Sequence, residues 1–145
     1  MKFEFKGYYW IVTSDMVVRR LGRLISLGSN AMGITFYPFL FVRADTRNHR
    51  ELIRHETIHI QQQLELFIIG AWVLFILEYA YARLIKKLDR RQAYYFTALE
   101  QEAHRNAADE HYLCCKRRPY DTLFYIKDKK RLGRNEAGGL IVGEY

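Results

Sequence analysis

Cysteine and proline are scarce in this chain, at two each among 145 residues. Cys114 and Cys115 are neighbours, a spacing too tight for an ordinary structural disulfide and unlike the paired spacing of a zinc knuckle. Neither a disulfide framework nor a cysteine zinc module is therefore expected, and a reducing compartment is the simpler inference. The N-terminus, MKFEFKGYYWIVTSD, has charges breaking its apolar residues and no uninterrupted apolar core before a small-residue cleavage site. It does not read as a signal peptide, and the expected location is the cytoplasm or the cytoplasmic face of the membrane. No internal repeat is visible, and no nucleic-acid reading motif accompanies the basic residues, so no specific nucleic-acid partner is expected. Long apolar runs are also missing. The longest, from Leu66 to Leu77, spans about 18 Å as helix, short of the roughly 30 Å of a bilayer core. Counting on to Ile85 reaches a crossing length only if Glu78 and Arg83 are tolerated. A buried core helix and a membrane-embedded one both fit, and membrane association through Leu66 to Ile85 is carried forward as an expectation.

What is present is apolar and basic. Half the residues are hydrophobic, 15% are aromatic and the net charge is +7, enough for one domain with a modest core. The cations cluster at Arg19 and Arg20, at Arg83 with Lys86 and Lys87, at Arg90 and Arg91, at 116–118 and at 127–131. Such clusters suit phosphate or an anionic membrane face, and equally well form solvated helix ends.

Along the chain, residues 2–12 alternate aromatic or β-branched with polar positions and read as a strand or extended arm. Ser14 or Asp15 then caps a short helix ending near Gly28. GITFYPFLFV, from Gly33 to Val42, reads as an edge strand or two short pieces because Pro38 cannot donate to a ladder. An exposed edge is a place where a peptide can add itself. Asn48 with Glu51 has the form of a capping box opening a helix that runs at least to Leu64. Gly70 is a candidate break in the apolar stretch that follows. A further helix runs from Arg91 to about Cys115. The expected fold is mostly α (α+β), three or four helices around the 55–59 helix with a small strand element before it. It forms a single domain over 1–145 with a loose tail from 133 to 145.

HETIH at residues 55–59 carries the chemistry. Two imidazoles four residues apart lie on one helix face and can bind one metal ion, and Glu56 beside them can reach a water on that ion. Zinc lowers the pKa of such a water toward about 7, and a carboxylate can take its proton as it attacks a carbonyl. A catalytic zinc needs a third protein ligand, and LEQEAH offers Glu100, Glu102 and His104. On a helix, 100, 103, 104, 107 and 111 share one stripe, whereas Glu102 falls about 200° from Glu100, beside Arg105, Asn106 and Asp109, on an expected solvent face. Glu100 is therefore the expected ligand. His104, one turn on, is placed to hydrogen-bond a ligand or a developing oxyanion. Gln62 and Gln63 are expected either to line the cleft or to be exposed, and His111 to stand at the cleft rim.

These residues give the chain a resemblance to the gluzincin metallopeptidases, whose pattern is HExxH followed by an ExxA helix. The match is HETIH and then Glu100, Gln101, Glu102 and Ala103. It is similar to the ExxAD group, including the CAAX prenyl proteases and HtpX-type membrane proteases, except that His104 stands where those carry Asp. Residues 31–120 also look like small bacterial HExxH proteins with the same order of parts. The resemblance implies zinc held by His55, His59 and Glu100, with Glu56 as general base in peptide-bond hydrolysis. The alternative expectation is a non-catalytic zinc protein that binds a membrane or a partner.

Overall fold

The computed structural model describes residues 1–24, 31–135 and 139–145. Gly28, the expected end of the first helix, lies outside them. The chain is mostly α, about 51% helix and 18% strand, as its helical periodicities lead one to expect. It divides into two compact units, Met1–Gln61 and Gln62–Tyr145, with the boundary inside one helix.

In the first unit, β1 (Lys2–Phe5) and β2 (Trp10–Thr13) form an antiparallel hairpin, so the expected N-terminal strand is two strands. α1 (Asp15–Leu24) follows; Ser14 precedes it, and the Ser14 hydroxyl accepts from Val17 N–H at 3.5 Å. β3 (Gly33–Phe36) and β4 (Phe39–Val42) form a second hairpin through the cis Tyr37–Pro38 bond. Proline's missing N–H is harmless there, outside the ladder. β4 pairs in parallel with β2, giving the order β1-β2-β4-β3 and leaving β3 on the edge. α2 (His49–Glu65) lays Leu52, Ile53 and Ile60 on Tyr9, Ile11, Leu40 and Val42, the unit's apolar core. At its start, Asn48 donates its amide to Glu51 (3.3 Å), which ties the two residues of the expected capping box side chain to side chain.

The second unit begins with the last turn of α2 and continues into α3 (Ile69–Leu84). The break before α3 falls at Phe67 and Ile68, both with positive φ, and not at Gly70, which lies inside the helix. No single helix among the described residues is long and apolar enough to cross a membrane. The helix expected over 91–115 is in fact α4 (Arg90–Phe96) and α5 (Ala98–Asn106), followed by a π-helical turn at Tyr112–Lys116. Thr97 separates the two, with extended backbone (ψ 144°) and a hydroxyl that donates to Tyr94 O at 3.0 Å. Glu78 of α3 accepts the N–H of Ala98 at 2.6 Å, satisfying one of the donors that a helix start leaves open. A side chain distant in sequence thus supports the break, which is why local propensity did not reveal it. Ala82, Ala93 and Phe96 form a small core with Tyr79 and Leu88.

Residues 133–134 and 140–143 of the expected loose tail lie in strands. β5 (Arg131–Arg134) and β6 (Leu140–Gly143) pair as a hairpin, and just before it Gln101 donates to Lys130 O (2.7 Å) and accepts from Lys130 N–H (3.0 Å).

Glu102 is the principal departure from the sequence reading. Expected on a solvent face, it is wholly buried. A 3-10 helix, Asp121–Ile126, packs over α5 and covers that face. The Glu102 carboxylate accepts from Gln62 Nε2 (2.9 Å), Tyr112 Oη (3.1 Å), Arg117 Nε (2.6 Å) and the Thr122 hydroxyl. Burial and the neighbouring carboxylate push the Tyr112 phenol well above its ordinary value, so it stays a donor at neutral pH. Arg117 continues to Glu65 through Nη1 (2.5 Å) and Nη2 (2.9 Å). Removing one member of a buried pair leaves the other charge without compensation. Glu102→Ala is therefore expected to destabilise the protein by about 3–5 kcal/mol in urea unfolding, where an exposed glutamate would shift it by less than about 0.5 kcal/mol.

Candidate active site

α2 places both expected imidazoles as their spacing requires. His55 and His59 are buried, and their Nε2 atoms lie 3.2 Å apart with the rings edge to face. Two ligands at about 2.0–2.1 Å from a tetrahedral zinc stand roughly 3.3 Å from each other. The pair thus fits two corners of such a site without a change of rotamer. Helix geometry alone brings the residues to one face.

Glu56 is also buried, and its surroundings contain two residues that the sequence reading did not single out. The Thr35 hydroxyl lies 2.6 Å from Glu56 Oε2 and 3.1 Å from Glu56 O. One hydroxyl proton serves one acceptor at a time, and the shorter contact to the charged oxygen is the stronger. Gly33 stands two residues before Thr35 on β3 and faces the same carboxylate. A Cβ built on Gly33 would come within 2.7 Å of Glu56 Cδ and 2.8 Å of Cγ. The edge strand therefore approaches Glu56 as closely as a bare backbone permits. The signal was present as Gly-x-Thr at period two, which puts both residues on one face of a strand, but nothing local indicated which carboxylate they would meet.

In the second unit, Glu100 and His104 are brought together across one turn of α5, with Oε2 and Nε2 3.2 Å apart and both side chains largely buried. Tyr95 stands edge-on to the His104 ring at 4.9 Å. Ala103 and Ala107, the small residues of the expected stripe, are buried as well. The stripe itself does not discriminate, because every residue from Ala98 to Ala103 is buried. Glu102 accepts from four donors, and Glu100 lies against His104.

Gln62 and Gln63 are buried, not exposed. Gln62 donates to Leu99 O (3.0 Å) as well as to Glu102, so it is a bridge from the last turn of α2 to α5. His111 lies beyond α5 and is exposed, and Cys114 and Cys115 are joined to each other as a disulfide, contrary to the expectation from their spacing.

Searches against protein-family models, curated proteins and solved structures gave no match.

The approach of β3 to Glu56 can be measured. Gly33→Ala should cost about 1–3 kcal/mol by overpacking, and the cost should largely disappear in a Glu56→Ala background, where the crowded atoms are gone. A double-mutant cycle by urea unfolding reads this coupling, and purely additive losses would show that Gly33 serves the strand alone.

Proposed function

We propose that the protein is a zinc metallopeptidase of gluzincin type, in which His55, His59 and Glu100 hold the ion. The observation that carries this reading is the buried His55–His59 pair, with Nε2 atoms 3.2 Å apart and Glu56 next to the first of them. Zinc, when bound, supplies a Lewis acid that polarises a carbonyl and acidifies water. The remaining work falls to side chains. Glu56 takes the proton of the attacking water and passes it to the leaving amine, so the carboxylate must stay fixed while cycling between charged and neutral forms. Thr35 holds Oε2 in place, and its hydroxyl can turn toward Glu56 O when that oxygen is protonated. His104 orients Glu100 or donates to the developing oxyanion. β3, an edge strand, offers backbone hydrogen bonds to an extended peptide alongside Glu56.

A second reading rests on the Glu100–His104 separation. At 3.2 Å it also suits two ligands of one ion. Four protein ligands would close the coordination sphere and make the zinc structural, in a non-catalytic protein that binds a membrane or partner.

Purified protein is expected to hold one zinc, and His55→Ala, His59→Ala and Glu100→Ala should each weaken binding by orders of magnitude in chelator competition. His104→Ala should cost about 10- to 100-fold. Loss as complete as in the His55 variant would favour the closed, structural site. Glu56→Gln should keep the metal and abolish cleavage of a mixed peptide library; retained cleavage would exclude Glu56 as the base.

A further inference from the structure

α3 has two faces of unlike fate. Ala71 and Ala82 are buried on one side, Ala82 packed with Ala93 and Phe96 of α4. On the other side Ile69, Val73, Ile76, Leu77 and Leu84 are exposed, Ile69 and Leu84 to 74% and 73%. At 100° per residue these five fall within an arc of roughly 100°, and the stripe runs about 22 Å along the helix. Phe67, 83% exposed, and Ile85 extend it at either end. So large an apolar face open to water marks an interaction surface.

The stripe ends in positive charge. Between residues 83 and 91 stand Arg83, Lys86, Lys87, Arg90 and Arg91 against a single acid, Asp89, and all six are exposed. Asp89 is engaged in capping α4, accepting from Gln92 N–H at 2.8 Å. An apolar stripe with a cationic end is what an anionic bilayer surface complements, acyl chains meeting the stripe and headgroup phosphates the cations. A second copy of the chain would cover the stripe and leave the cations unmatched.

We propose that the α3 face seats the protein on an anionic membrane surface. The helix lies in the interface plane, with Ile69, Val73, Ile76, Leu77 and Leu84 in the acyl boundary and the 83–91 cations among the headgroup phosphates. It does not cross, since 22 Å falls short of a hydrocarbon core of about 30 Å. The inference is independent of the zinc reading and holds for a catalytic or a non-catalytic protein.

Cosedimentation of the full chain with phosphatidylcholine vesicles, with and without phosphatidylglycerol, tests it. Binding is expected to the mixed vesicles, at least about tenfold weaker to phosphatidylcholine alone, and reduced by salt. Ile76→Glu with Leu77→Glu should abolish it. Lys86→Glu with Lys87→Glu, at exposed positions that leave the core untouched, should weaken it at least about 30-fold. Phe3→Glu, an exposed apolar residue on β1, should bind as the wild type does. Circular dichroism checks that each variant is folded. Four results would each overturn the proposal: no binding to either vesicle, equal binding to both, binding unchanged by the Ile76 and Leu77 pair, or a dimer in sedimentation equilibrium that this pair dissociates while vesicle binding is absent.

Discussion

A carboxylate cut off from water has to be surrounded by donors, and the second unit is organised around that requirement at Glu102. Its donors come from the last turn of α2, the π-helical turn, the segment after it and the 3-10 helix: Gln62, Tyr112, Arg117 and Thr122. Arg117 extends the network to Glu65, which also accepts the backbone N–H of Tyr120 at 3.0 Å. Segments with little regular structure of their own are thereby fixed against α5. The position of Glu100 and His104 depends on it indirectly, since they stand on the same nine-residue helix.

In the first unit the buried carboxylate is that of Glu56. Glu56 has one strong partner in Thr35 and a backbone brought close at Gly33, where any side chain would collide with it. Among the described residues the two carboxylates thus differ in their surroundings, a threonine hydroxyl at Glu56 and four donors at Glu102.

α3 combines both themes. Its small residues, Ala71 and Ala82, are buried, while Glu78 spends one oxygen on the start of α5 and the other on Lys129. Burial lowers the Lys129 ammonium from its ordinary range, and the Glu78 carboxylate opposes this. The polar work of the helix is thus done inside, and its large aliphatic residues are left outside, an inversion of the usual arrangement in water.

Much of this was determined locally and could be read from the residues alone. The 3.6-residue period puts His55 and His59 on one face with Glu56 beside them, proline places a turn between β3 and β4, and helical periodicities make the chain mostly α. Those features depend on neighbours in sequence. Others depended on side chains that only the fold brings near. Thr97 ends a helix that composition would continue, with Glu78 accepting the next N–H. Lys130, just before the last hairpin, is held through its backbone by Gln101. Glu102 is buried because a 3-10 helix some twenty residues later packs over a face that a helical wheel assigns to solvent. A wheel ranks the faces of a helix against one another, and α5 has no exposed face between Ala98 and Ala103 to rank. Sequence therefore determined that His55, Glu56 and His59 share one helix, while tertiary structure decided that Glu102 is enclosed by donors, because a hydrogen-bonding environment is built from residues distant in sequence.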